Sequence, residues 1–152
     1  MVLNEKEKAA VTELQTQEQR CVEKYERYAK EAKDPVLKDL FETIHKEEQK
    51  HYDSLTKLLN GQVLDCDCND VKGQDYNPKA TYDSMSNPED KKADNFLVTD
   101  CIGTEKLVSS EYNTGVFKFA DACIRKLLAD IQIEEQNHAR MLYQYKTVNG
   151  MA

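Results

Sequence analysis

The chain has no tryptophan, three prolines and five glycines among its 152 residues. With so few breakers, a 39% hydrophobic and 32% charged composition favours helices with one apolar stripe and solvated remaining faces. Positive charge is also short, with 21 Lys and Arg against 28 Asp and Glu and a net charge of −7. That balance excludes the basic face that phosphate neutralisation needs, so no nucleic-acid partner is expected. No run of 18 apolar residues occurs, so no membrane partner is expected either. The N-terminus, MVLNEKEKAAVTELQ, lacks the apolar stretch of a signal peptide, and a cytoplasmic protein is expected.

The five cysteines are an odd number and fit a reducing compartment better than a disulfide framework. Cys21, Cys101 and Cys123 fall on helical apolar faces and read as small core residues. Cys66 and Cys68 form a lone C-x-C, which lacks the second pair of ligands that a zinc or iron–sulfur site needs.

What the chain does have is four helical segments. Asn4 with Glu7 three residues on has the spacing of a capping box, with Leu3 beside it as a staple. A first helix is expected to run to about Ala32. Asp34-Pro35 is an N-cap followed by proline at the first helical position, and Asn60-Gly61 is a stop. Residues from 61 to about 90 are rich in Asp, Asn, Gly, Pro and Ser without a sustained period. So long a connection suits a crossover along a helix bundle. A third helix is expected to begin between Pro88 and Lys92 and reach about Ala120, and a fourth, capped by Asp121, to reach about Tyr145. The expected fold is all-α: one domain of two antiparallel hairpins, about residues 4–60 and 91–149, joined by that crossover.

Two of the three histidines stand in the same phrase, KEEQKH and IEEQNH, 87 residues apart. Shifted by 87, residues 18–55 overlay 105–142 without a gap and with ten identities. Among them Glu18, Glu48 and His51 recur as Glu105, Glu135 and His138. All four acids sit in apolar stripes, and each histidine lies three residues beyond an acid, on the same helical face. Glu18 lies 16 residues before Asp34 and Glu48 lies 14 after it. At 1.5 Å per residue both therefore stand roughly 21–24 Å from the turn. Face-to-face packing would bring four carboxylates and two imidazoles into one core layer. Four buried carboxylates repel or bind protons unless cations neutralise them, and two divalent ions match their charge. A Glu from each of two helices plus Glu-x-x-His from the other two is the carboxylate di-metal constellation. The metal-ligand set is therefore Glu18, Glu48, His51, Glu105, Glu135 and His138, with Glu48 and Glu135 as bridges and the ions roughly 3.5–4 Å apart. Tyr25 and Tyr112 are expected to fill core space within reach of a ligand carboxylate. Glu47 and Glu134 point about 100° away, as surface or supporting groups, and His45 reads as a surface residue.

The first hairpin, EQRCVEKYERYAKEAKDPVLKDLFETIHKEEQKH, resembles the rubrerythrin and ferritin-like family, although it is shorter around Asp34. Its Glu18, Glu48 and His51 fall on that family's ligand pattern. The second hairpin, from TEKLVSSEYNTGVFKFADACIRKLL to IEEQNHARMLYQYKTVNGM, is similar more specifically to coat F-type spore coat proteins, through positions that include Tyr112, Asn113 and Thr114. The resemblance implies a ferritin-like bundle with two divalent ions, iron foremost and manganese or zinc as alternatives. It also implies deposition in the spore coat, and partners among other coat proteins or further copies of the chain. The extra glutamate that rubrerythrins carry on the third helix has no match, since Glu111 lies six residues from Glu105 on another face. Rubrerythrins usually add a rubredoxin-like centre with two Cys pairs, of which only Cys66 and Cys68 are present. Two expectations follow: a structural or assembly protein of the coat with a metal-competent site, or a peroxidase or oxidase fed by an external electron donor.

Overall fold

In the computed structural model, residues 2–62 and 70–152 are described. They contain four helices and no strand: α1 (Glu5–Glu31), α2 (Pro35–Leu59), α3 (Pro88–Val116) and α4 (Ala122–Val148). Each start has a chemical cause. The Asn4 side chain accepts from Glu7 N–H and the Glu7 carboxylate accepts from Asn4 N–H, both at 2.9 Å, so two orphan amides of α1 are satisfied together. Asp34, Asn87 and Asp121 cap the other three helices, with Pro35 and Pro88 as first helical residues. At the end of α2, Gly61 takes φ 78°, and the amides of Gly61 and Gln62 return to the carbonyls of Leu58 and Lys57.

Helix α3 stops at Val116, short of Ala120. The amides of Phe117 and Lys118 turn back to Thr114 and Gly115, tightening the last turn. Phe119 therefore buries its ring from the connection rather than from the helix, and the apolar pattern continued past the helix end. Helix α4 runs past Tyr145 to Val148 because Asn149 and Gly150 supply its stop. Two further expectations are corrected by burial. Cys123 is exposed beside the start of α4, whereas Cys21 and Cys101 are buried. His45 is half-buried, with Nδ1 2.9 Å from the Val22 carbonyl oxygen, and ties α2 to α1.

α1 packs against α2 and α3 against α4 as hairpins, while α1 meets α3 and α2 meets α4 across the bundle. Polar ties give the directions: Tyr28 reaches Asp100, Tyr25 reaches Glu105 and Glu18 is reached by Tyr112, so α1 and α3 run antiparallel. Phe41, Ile44, Leu55, Val98, Val108, Leu128 and Leu142 are buried between them. Burying one such side chain contributes about 1.5–3 kcal/mol.

The crossover follows the α2–α4 side. Arg140 donates to the Gly73 carbonyl at 3.2 Å, and Lys72 pairs with Glu47. Gly73 is held at φ 83° so close to Met141 that an added Cβ would lie 2.5 Å from its sulfur. At the far end the chain is fastened by a polar knot. Asn149 Oδ1 accepts from the amides of Thr81 and Tyr82 at 2.9 and 3.0 Å, and Tyr145 donates to Asp34 at 2.6 Å. Asp94, fully buried, accepts from the Lys33 and Asp34 amides and from the Tyr82 hydroxyl. Cys66 and Cys68 lie outside the described residues.

Candidate metal centre

One layer of the core carries Glu18 from α1, Glu48 and His51 from α2, Glu105 from α3, and Glu135 and His138 from α4. All six are buried, none more than 3% exposed. Their ligand atoms form two overlapping groups, each with every atom within 4.8 Å of the others. Glu18, Glu48, His51 and Glu135 make one group; Glu48, Glu105, Glu135 and His138 make the other. Glu48 and Glu135 belong to both.

The contacts between hairpins are reciprocal, as the 87-residue repeat requires. His51 Nδ1 lies 2.9 Å from Glu135 Oε1, and His138 Nδ1 lies 2.8 Å from Glu48 Oε1. The two rings stack with centroids 5.9 Å apart. Tyr25 of α1 donates to Glu105 of α3 at 2.5 Å, and Tyr112 of α3 donates to Glu18 of α1. Each outer carboxylate is thus oriented by a phenol from the opposite hairpin.

The electrostatics are those of an acid cluster packed without solvent. Burial raises Glu18 well above the usual carboxylate range, with the Glu48 charge adding to it. Burial also raises Glu135, reinforced by Glu105, Glu48 and Glu18. Glu48 goes the other way: burial opposes its ionisation, but hydrogen bonds and charge from His138 and His51 outweigh that and hold it well below the ordinary range. His138 is disfavoured as a cation by burial, yet Glu105 and Glu48 carry it to about 9. The two imidazoles and the raised carboxyls therefore relieve part of the repulsion within the cluster.

Among the described residues, five buried carboxylate oxygens make no hydrogen bond: Glu18 Oε2, Glu48 Oε2, Glu105 Oε2 and both oxygens of Glu135. An unpartnered buried polar atom typically costs about 1–3 kcal/mol, so five converging on one spot are a standing expense unless something fills it. Oxygen and imidazole donors at this spacing fit first-row divalent cations. Sequence spacing indicated the six residues; the contact from Glu134 to His51 Nε2 it did not indicate. The signal for it was present, because Glu134 and Glu47 repeat together with the ligand acids. Glu47 is buried and paired with Lys50 and Lys72. Two open grooves lie elsewhere, one against α1 and one under the crossover.

Residues 93–152 match the family model of the Coat F domain. The matched residues take in nearly all of α3 and the whole of α4, including Glu105, Glu135 and His138. The first hairpin precedes the match and is related to the Coat F segment through the internal repeat. No curated protein and no solved structure matches the chain. The Coat F match bears out the resemblance carried by Tyr112, Asn113 and Thr114 and supports a spore coat protein.

Proposed function

We propose that this is a ferritin-like, di-metal carboxylate protein of the spore coat, with a structural or assembly role and a centre able to hold two divalent ions. One observation supports it most: five unpartnered buried carboxylate oxygens converge where the two ligand groups overlap. Glu48 and Glu135 would bridge; Glu18 and His51 would complete one side, Glu105 and His138 the other. When bound, the ions supply four positive charges to offset four carboxylates and cross-link all four helices. Tyr25 and Tyr112 keep the outer carboxylates aimed inward, and the apolar packing excludes water. Iron comes first among the candidates, with manganese and zinc as alternatives that this donor set distinguishes poorly. Coat deposition would place the chain against other coat proteins or further copies of itself.

A redox reading, a rubrerythrin-like peroxidase or oxidase, draws on the same observation, since a purely structural bundle has no need of six buried ligands. In that reading electrons would come from an external donor. The experiment that tests the centre is metal analysis of protein purified without chelator, beside the variant E48Q/E135Q. Two ions per chain are expected for the natural sequence and loss of the pair in a variant still helical by circular dichroism. Absence of tight binding, or equal binding by the variant, would refute the centre. Peroxide turnover by loaded protein with an added donor then separates the two readings.

A further inference from the structure

The repeat makes the two halves of the centre equivalent in their ligands, but not in what stands behind them. His51 turns Nδ1 toward Glu135, Glu48 and Glu18, at 2.9, 3.5 and 3.7 Å, while Nε2 meets the Glu134 carboxylate. A carboxylate on Nε2 favours a proton there, so Nδ1 is the nitrogen that would be offered to a cation in the cluster. His138 likewise turns Nδ1 inward, toward Glu48 at 2.8 Å and Glu105 at 3.5 Å. By the repeat, Glu47 should stand behind His138 as Glu134 stands behind His51. It does not: Glu47 is drawn off by Lys50 at 3.1 Å and by Lys72. No carboxylate among the described residues meets His138 Nε2. Lys72 belongs to the crossover, the one segment present in a single copy, so the crossover breaks the symmetry of the site.

We propose that Glu134 and the Lys72–Glu47 pair make the two metal positions unequal, so that the Glu18–Glu48–His51–Glu135 half takes up its ion first and more tightly. This rests on the di-metal reading above. Two effects act in the same direction. A carboxylate on the outer nitrogen raises the basicity of His51 and keeps it from rotating. At the other half, the corresponding carboxylate is engaged with two ammonium groups, which leaves His138 without that support and offsets the negative charge Glu47 would otherwise lend. Glu134 is a positioning residue: it acts through His51.

Cobalt(II) titration of the metal-free full chain, followed by visible absorption and by calorimetry, tests this. The natural sequence should take up two ions in two steps separated roughly 10–100-fold, the usual effect of losing a carboxylate behind a ligand histidine. E134A should weaken the first step until the two merge, and E134Q, which keeps an acceptor oxygen, should fall between. K50A/K72A releases Glu47 and should tighten the second step, a change that general loosening of the bundle would not produce. Circular dichroism of each variant confirms the helices. Two indistinguishable steps in the natural sequence, or an unchanged gap in E134A, would overturn the inequality while leaving the centre standing. No cobalt uptake at all would overturn the centre and the inequality together.

Discussion

Replacing Asp94 with alanine tests how the end of the bundle is held. Asp94 is fully buried on α3, and its two oxygens accept three hydrogen bonds. They come from the amides of Lys33 and Asp34 at 2.8 and 2.9 Å and from the Tyr82 hydroxyl at 2.6 Å. One carboxylate thus ties the α1–α2 turn and the crossover to the start of the second hairpin. Hydrogen bonds to a charged acceptor contribute about 1.5–3 kcal/mol each, and truncation strands the donors rather than replacing them. Water reaching the half-exposed Tyr82 and exposed Lys33 recovers part of this, which leaves a destabilisation of about 3–5 kcal/mol. In a chain of this length that lowers Tm by roughly 9–15 °C. Urea unfolding of metal-free protein, followed by far-ultraviolet circular dichroism, measures it. D94N should lose less, and D94A should make Y82F nearly silent, because the hydroxyl no longer has its acceptor. A D94A variant within about 1 kcal/mol of the natural sequence would refute the account of the knot.

Stability of the metal-free protein should depend on pH in a definite direction. His138 is raised from 6.5 to about 9, so its contribution is complete below 6.5 and disappears as pH rises through about 9. Glu18 and Glu135 are raised as well and act in the same sense from 4.5 upward, whereas the depressed Glu48 contributes above 4.5 and loses that contribution in more acid solution. The metal-free Tm should therefore peak between 4.5 and 6.5 and fall toward pH 9; a Tm that climbs steadily toward pH 9 would contradict this. Alkylation of the folded protein should label Cys123 well before Cys21 and Cys101, whose thiols are buried and pushed up, and mass spectrometry of timed samples gives the order. G61A should destabilise by about 1 kcal/mol through its left-handed φ and leave cation uptake unchanged, a pairing that melting curves and titration check together.

The helices and the six clustered residues were readable in the chain because their causes are local or periodic. A cap such as Asn4 with Glu7 is decided within one turn, and an 87-residue repeat carries its own register. What the sequence did not reveal depends on contacts between distant segments. Asp94 reads as one more acid near a helix start until the α1–α2 turn is brought onto it. Glu134 reads as a neighbour of a ligand until His51 arrives from the other hairpin. The early end of α3 was hidden because Phe119 is buried from the connection as well as it would be from a helix. Cys123 shows the converse error, since an apolar residue in the first turn of a helix can lie off the stripe that the rest of the helix buries.

The reciprocal ties from Tyr25 to Glu105 and from Tyr112 to Glu18 make each hairpin the other's binding partner. The chain behaves as a dimer whose subunits happen to be joined. The crossover replaces a meeting between two molecules with a meeting inside one, at an effective concentration on the order of millimolar. Residues 93–152 taken alone would hold three of the six clustered residues and an uncovered apolar face, so this segment has to find a second hairpin, in cis or in trans, before it has a core to close.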